Sequence, residues 1–209
     1  MIPLVFFGTG GHSKVLIDIA EKAEGFKILG LFDDNSHAPA TVLDYPVLGG
    51  RRELEEMLRE NPDLRVIVAI GNNMVRSEVA NWLRTCGAII PVLIHPSAQI
   101  GRNVEVSSGS VIMAGVVVNS ATKIGCDVIL NTRCSVDHDC VVGDASHVGP
   151  GVSLCGGVSI GQGALLGVGS QVIPGIKVAD RVIVAAGATV VSDVESDSMV
   201  GGTPAKKIK

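Results

Sequence analysis

Aromatic side chains are scarce in this chain of 209 residues: one Trp, one Tyr and four Phe make up 3% of it. Phe, Tyr and Trp supply the largest buried areas in ordinary cores, so a chain this poor in them points to a thin interior. Charge is also sparse, at 18% Asp, Glu, Lys and Arg, with a net charge of −4 and no basic run. That argues against nucleic acid or an anionic membrane surface as a partner. No stretch reaches eighteen consecutive apolar residues, and the opening MIPLVFFGTGG lacks a charged n-region and a small-residue cleavage site. The expectation is a cytoplasmic chain with no membrane partner. The five cysteines, Cys86, Cys126, Cys134, Cys140 and Cys155, form no CxxC pair and are odd in number. This argues against both a zinc site and a disulfide framework.

What is abundant is glycine, 26 residues, together with one strict period. From Ile94 to Val190 an aliphatic residue recurs at every sixth position without a break, seventeen times in succession. A period of six fits neither a 3.6-residue helix nor a simple alternating strand. It is the mark of a parallel β-helix built from hexapeptides, three to a triangular coil. Two positions before each aliphatic residue stand small or β-branched side chains such as Ser110, Thr122, Cys134, Cys140 and Ser146, suited to an interior one residue thick. One position after it stands Gly (101, 125, 143, 149, 161, 167) or Asn119, Asn131 or Asp137, read as corner residues with φ > 0. Between five and six coils are expected, after which the repeat dissolves over residues 192–198 into a solvated tail, VGGTPAKKIK.

Residues 1–93 read as a different unit. An apolar run, PLVFFG, leads into GTGGHSK and then a helical pattern, Val15, Leu16, Ile17, Ile19 and Ala20. This is strand, glycine turn and helix, with the turn's amides aimed at an anion. A second strand, KILGLF, ends in Asp33 and Asp34, 25 and 26 residues after Gly8. Acidic residues there resemble the ribose-hydroxyl ligands of dinucleotide-binding folds, although Ser13 stands where the third glycine of GxGxxG belongs. A short strand around 46–48, a helix over 51–60, strands over 65–70 and 88–94, and a helix over 75–84 complete a small parallel sheet wound with helices. Its ligand belongs at the carboxyl ends of the strands, where GTGGH, Asp33, Asp34 and Gly71-Asn72-Asn73 fall.

Polar residues of the repeat crowd into NTRCSVDHDCVVG, residues 131–143. His138 follows Asp137 at an outward position and precedes Asp139, with small residues, Ser120 and Gly156, one coil away on either side. A histidine beside a carboxylate is the usual apparatus of a general base near neutral pH. His147 is a second candidate. The same residues also admit a plain reading: solvated histidines on a repeat surface, Asp33 and Asp34 as end-of-strand turn residues, and His12 as a helix cap.

The motifs GTGGHSKVLID (8–18), FDD (32–34), AIGNNMVR (69–76), LIHPSAQI (93–100), NTRCSVDHDCVVG (131–143) and VGGTPAKKI (200–208) together resemble the hexapeptide-repeat nucleotide-sugar N-acetyltransferases, over essentially the whole chain. The resemblance implies an α/β Rossmann-like N-terminal domain (1–93) on a left-handed parallel β-helix (94–209). It implies a homotrimer with active sites between subunits, to which outer residues such as Met113 and Ile173 could contribute. It implies acetyl-CoA as co-substrate, a nucleotide-linked amino sugar as acceptor, and no metal. It assigns His138 as base with Asp139 beside it, and His147, Gly156, Val168 and Ala186 to the coenzyme. Gly10, Gly11, His12, Asp33, Asp34 and Gly71 fall to the nucleotide sugar, with Asn72, Asn73 and Arg76 as neighbours. Acetylation of a sugar hydroxyl, as in sialic-acid O-acetyltransferase relatives, an NAD-dependent oxidoreductase built on GTGGH, and a non-enzymatic β-helix binding module stand as alternatives.

Overall fold

The computed structural model describes residues 1–208, and the chain divides into two compact units, Met1–Leu93 and Ile94 onward. In the first, β1 (Ile2–Phe7) carries four consecutive buried apolar side chains, Leu4 to Phe7, as a strand covered on both faces must. It is followed by α1 (Gly11–Lys22), whose buried face is Leu16, Ile17, Ile19 and Ala20, and by β2 (Phe26–Phe32). A two-residue hairpin of β3 (Thr41–Val42) and β4 (Tyr45–Pro46) leads to α2 (Arg51–Glu60), β5 (Arg65–Val68) and α3 (Asn73–Thr85). The sheet is parallel in the order β2-β1-β5. The chain leaves β1 toward one edge and returns to the other, which opens a crevice at the strands' carboxyl ends.

The strand expected over 88–94 is split: Ile89 makes one isolated bridge to Arg65, and Leu93–Ile94 forms the first two-residue strand of the coil sheet instead, because Pro91 lacks a ladder donor and restricts the residue before it. The strand expected near 46–48 is likewise reduced to β4 and a single bridge, Leu31 to Val47.

In the second unit, two-residue strands eighteen residues apart pair in parallel, as in Val118↔Val136 and Val136↔Leu154. They form sheets of six, five and eight strands. The sixfold aliphatic positions fill the interior: Val136, Val148, Leu166 and Val172 are wholly buried. The first coil departs from this, with Ile94 and Ile100 exposed by 37% and 40%, since no earlier coil closes over it.

The corner reading needs correction. Positive φ falls three positions after the aliphatic residue, at Ala121, Asp127, Arg133, Asp139 and Ala145 and at glycines such as Gly151 and Gly157. The glycines one position after it meet a different demand. A Cβ on Gly143 would stand 2.7 Å from the amide nitrogen of Gln162, and one on Gly167 2.6 Å from that of Ala186. Proximity of the next coil, rather than φ, selects glycine there.

Inside the prism, buried hydroxyls link one coil to the next. Ser110, Thr122 and Ser146 donate to the carbonyls of Gly125, Asp137 and Gly161 at 2.6, 2.7 and 2.7 Å. They accept from the amides of Val128, Cys140 and Ala164 at 2.9, 3.2 and 3.2 Å. The Cys140 thiol donates to Cys155 O at 3.2 Å in the same pattern. Burial pushes the Cys134 thiol up to about 12, so both inward cysteines are inert core.

The repeat also outlasts its expected end. Val178 bridges Val194, and Ile183 pairs with Met199 in the next strand, Met199–Gly201. Both partners are sixteen residues on instead of eighteen, so the last coil is two residues short and slips the six-residue period. Lys206–Lys207, expected as solvated tail, folds back antiparallel on Val200–Gly201 and closes that sheet.

The hydroxyls sort into partnered and unpartnered. Ser170 Oγ is buried without a partner among the described residues. Ser146→Ala, which orphans a carbonyl and an amide, is expected to cost about 1–3 kcal/mol, whereas Ser170→Ala stays within about 0.5 kcal/mol. Thermal melts of the two variants check this; equal losses would contradict it.

Candidate active site

His138 lies at a corner between the strands Ser135–Val136 and Val141–Val142. Asp139 takes the left-handed conformation there, φ 58°, which turns its carboxylate back toward the preceding residue: Asp139 Oδ2 is 2.8 Å from His138 Nδ1. The carboxylate can only accept, so Nδ1 carries the proton and Nε2 is left with its lone pair. That hydrogen bond, then the charge of Asp137, raises the imidazole above its ordinary pKa. The side chain is 61% exposed.

One coil on, Gly156 fits the imidazole. A Cβ at this position would stand 2.7 Å from His138 Cε1 and 2.8 Å from Nε2. The ring therefore occupies the space that any other residue at 156 would fill. The main chain is tied on both sides, with Gly157 N donating to His138 O at 2.9 Å and Asp139 N to Ser120 O at 3.1 Å.

The other residues assigned to the coenzyme are elsewhere on the prism. Val168 and Ala186 are exposed on successive coils of a different corner, where Gly187 N donates to Val168 O at 2.9 Å. Because 138 and 168 are not separated by a multiple of eighteen, one chain does not bring those corners together. His147 lies in a strand, half-buried, with Nε2 2.9 Å from Asn131 Nδ2. Asn131 Oδ1 is held by Thr132 N at 2.8 Å, so the amide nitrogen faces His147 as donor and Nε2 accepts. Met113 is buried within its own chain, 1% exposed, and is not an outer packing residue; Ile173 is exposed.

In the first unit, the strand ends carry the remaining candidates. Gly10 is the N-cap of α1 with no side-chain cap, and His12 is half-buried in the helix's first turn, so His12 does not cap it. Nothing stands within 4 Å of where a Cβ would be at Gly10, Gly11 or Gly71, so the backbone at the start of α1 borders open space on that side.

Asp33 and Asp34 both have protein partners. Thr9 donates to Asp33 Oδ2 through its amide at 2.8 Å and its hydroxyl at 2.7 Å, and Asn35 N to Oδ1 at 2.9 Å. Burial alone would raise the Asp33 carboxyl, but these hydrogen bonds outweigh it and hold it below the usual range. Asp34 is gripped by Arg51, through the amide at 3.0 Å and Nε at 2.8 Å.

Arg51 is the residue the sequence did not single out. Its guanidinium lies 4.8 Å from the Trp82 ring and 5.9 Å from that of Phe7, with Glu78 at 3.6 Å. Two cavities of this unit, ≈ 560 Å³ and ≈ 290 Å³, share Asp33, Asp34 and Arg51 as walls. An Arg at the head of a charged helix carries no pattern that sets it apart; only the fold places the single Trp beneath it. Arg76, considered as a ligand neighbour, is buried and donates to the carbonyls of Ile70 and Gly71 at 3.2 and 3.0 Å, and so braces that loop. Asn72 caps α3, accepting from Val75 N. Among the described residues, no three His, Cys, Asp or Glu side chains gather to hold a metal ion.

Residues 3–83 match the model of the PglD N-terminal domain. The chain is 32% identical over 107 residues to UDP-N-acetylbacillosamine N-acetyltransferase of Bacillus subtilis (strain 168), a match covering 51% of this chain and 49% of that protein. Perosamine N-acetyltransferase from Caulobacter crescentus, solved in complex with CoA and GDP-perosamine, is 39% identical over 99% of this chain and 97% of its own, with a TM-score of 0.94. The acetyltransferase domain of PglB from Neisseria gonorrhoeae FA1090, solved in complex with acetyl coenzyme A, is 31% identical over 99% of both chains, with a TM-score of 0.90. With two solved relatives 39% and 31% identical over nearly their whole length, the chain belongs to the hexapeptide-repeat nucleotide-sugar N-acetyltransferases.

Proposed function

We propose that this protein transfers the acetyl group of acetyl-CoA to the amino group of a nucleotide-linked 4-amino-4,6-dideoxy sugar, with His138 as general base. The observation that carries this reading is an exposed imidazole whose Nδ1 is bound to Asp139 at 2.8 Å, which leaves Nε2 its lone pair, and whose ring occupies the space over Gly156. Relatives solved with CoA and GDP-perosamine, or with acetyl coenzyme A, support the two substrates.

In the reaction, the sugar nitrogen attacks the thioester carbonyl, a C–N bond forms and the C–S bond breaks. Nε2 of His138 takes the proton lost by nitrogen and passes it to the departing thiolate. Asp139 stabilises the imidazolium formed meanwhile. The backbone N–H of Gly156 has no protein partner among the described residues and is adjacent to the ring, so it is the donor available to the tetrahedral oxyanion. Direct transfer between two bound substrates draws on proximity and needs no acyl-enzyme.

In the first unit, the amides at Gly10 and Gly11 receive the diphosphate, and the cavities walled by Asp33, Asp34 and Arg51 receive the nucleoside. The carboxylates keep lone pairs beyond those already used, and Arg51 keeps donors. The active form is a homotrimer with sites between subunits; the separation of the His138 corner from the Val168 and Ala186 corner within one chain supports that arrangement, as do exposed aliphatic residues such as Val141 and Ile183. No helix among the described residues is long and apolar enough to cross a membrane, and a cytoplasmic location suits both substrates.

His138→Ala is expected to lower kcat on the order of a hundredfold or more with little change in either KM; full turnover in that variant removes His138 from the mechanism. The base works only when neutral. Activity should therefore rise with pH through a midpoint above the ordinary histidine value, and Asp139→Asn should move that midpoint down. Steady-state profiles of the two proteins decide this. Arg51→Ala should raise KM for the nucleotide sugar about tenfold and leave KM for acetyl-CoA unchanged, whereas equal changes in both would remove Arg51 from the nucleotide site.

A further inference from the structure

We propose that Asn119 and Asp137 are positioning residues for the base: through one shared carboxylate oxygen, the coil before His138 fixes the main chain from which the imidazole projects. This rests on His138 being the base, and adds what holds it.

The amide two positions after the aliphatic residue lies outside the inter-coil ladder, and at several corners a side chain accepts from it. Cys126 N and Gln162 N take theirs from the next coil, Asp144 Oδ1 at 2.7 Å and Asp180 Oδ1 at 2.9 Å. Thr132 N takes the amide oxygen of its neighbour Asn131, whose nitrogen turns to His147. His138 N also takes its neighbour, Asp137 Oδ1 at 2.9 Å, but here the same oxygen accepts from Asn119 Nδ2 at 2.8 Å, eighteen residues earlier. At this corner the acceptor is itself anchored to the preceding coil.

The consequence is an imidazole confined on three sides. Asp139 holds Nδ1, Gly156 leaves the space that the ring occupies, and the Asn119–Asp137 pair sets the main chain beneath it. An exposed side chain at a corner would otherwise sample several rotamers, and a base displaced by a fraction of an ångström loses its substrate proton. The hydrogen bond from Asn119, followed by the one from His138 N, holds the Asp137 carboxyl below its usual range, so a negative charge stays beside the base. The titratable groups on these three coils around the ring are Asp137, Asp139 and Cys155; Asn119, Ser120, Ala121, Gly156 and Gly157 complete the surroundings.

The test separates geometry from charge. Asn119→Ala removes the anchor and keeps the carboxylate. Asp137→Asn keeps an acceptor for His138 N and removes the charge. Expected are a fall in kcat of about tenfold for Asn119→Ala with both KM values within about twofold, and for Asp137→Asn an acid limb of kcat displaced to lower pH, since a lost negative charge lowers the imidazole pKa. The exchange Asn119→Asp with Asp137→Asn restores the bond between the two and should return the plateau kcat toward wild type. Variants that melt lower yet keep wild-type kcat and an unmoved acid limb would show a purely structural pair and overturn the proposal. That outcome is distinct from failure of the underlying reading, which would appear as turnover surviving His138→Ala.

Discussion

Everything in the second unit depends on parallel strand pairing in a register of eighteen residues, shortened to sixteen in the last coil. Parallel pairing at that spacing stacks each residue on its equivalent one coil away, so a column of side chains along any corner behaves as a set of neighbours. The interior is then one side chain wide, which removes any place for aromatics and makes small hydroxyls useful: Ser110, Thr122 and Ser146 bond to the coils above them. The same stacking makes chemistry possible at the surface. Ser120, His138 and Gly156 form one column, and the imidazole fits because its upper neighbour has no side chain.

That corner is assembled from residues of three coils, with one imidazole, His138, and two carboxylates, Asp137 and Asp139, at its centre. Asp139 can reach Nδ1 because its φ is positive. Asp137 is held by Asn119. Gly156 contributes an empty volume and a backbone amide. A site of this kind needs little that is not already required by the coil, which explains how a fold of short strands supports group transfer.

Much of this was legible in the sequence, for a physical reason. A strict period reports directly on a repeated environment, so seventeen aliphatic residues at sixfold spacing predict coils, their number and their inward faces. Where the period ends, the inference fails: the last coil is shortened by two residues, and a search locked to six sees only a tail after Val190. Corner chemistry was misassigned by two positions because glycine answers both to positive φ and to a close neighbour, and composition cannot tell these apart. In the first unit the motif GTGGH and the aspartate pair marked the carboxyl ends of the strands, where the structure places them. They did not indicate that Asp33 and Asp34 are gripped by Thr9 and Arg51, nor that Arg51 rests on Trp82, because those contacts join segments far apart in the chain. Asn131 was equally silent until its amide was seen turned to His147.

The central claim is that an amine-bearing sugar nucleotide and acetyl-CoA react at the His138 corner, and thiol release from acetyl-CoA tests it most directly. With nucleotide-linked 4-amino sugars as acceptors, the wild-type protein should release CoA stoichiometrically with N-acetylated product, and should do so far more slowly with the matching 4-hydroxyl sugars, since a hydroxyl is the weaker nucleophile. Equal or faster release with the hydroxyl acceptors, or none with any amino sugar, would contradict the account.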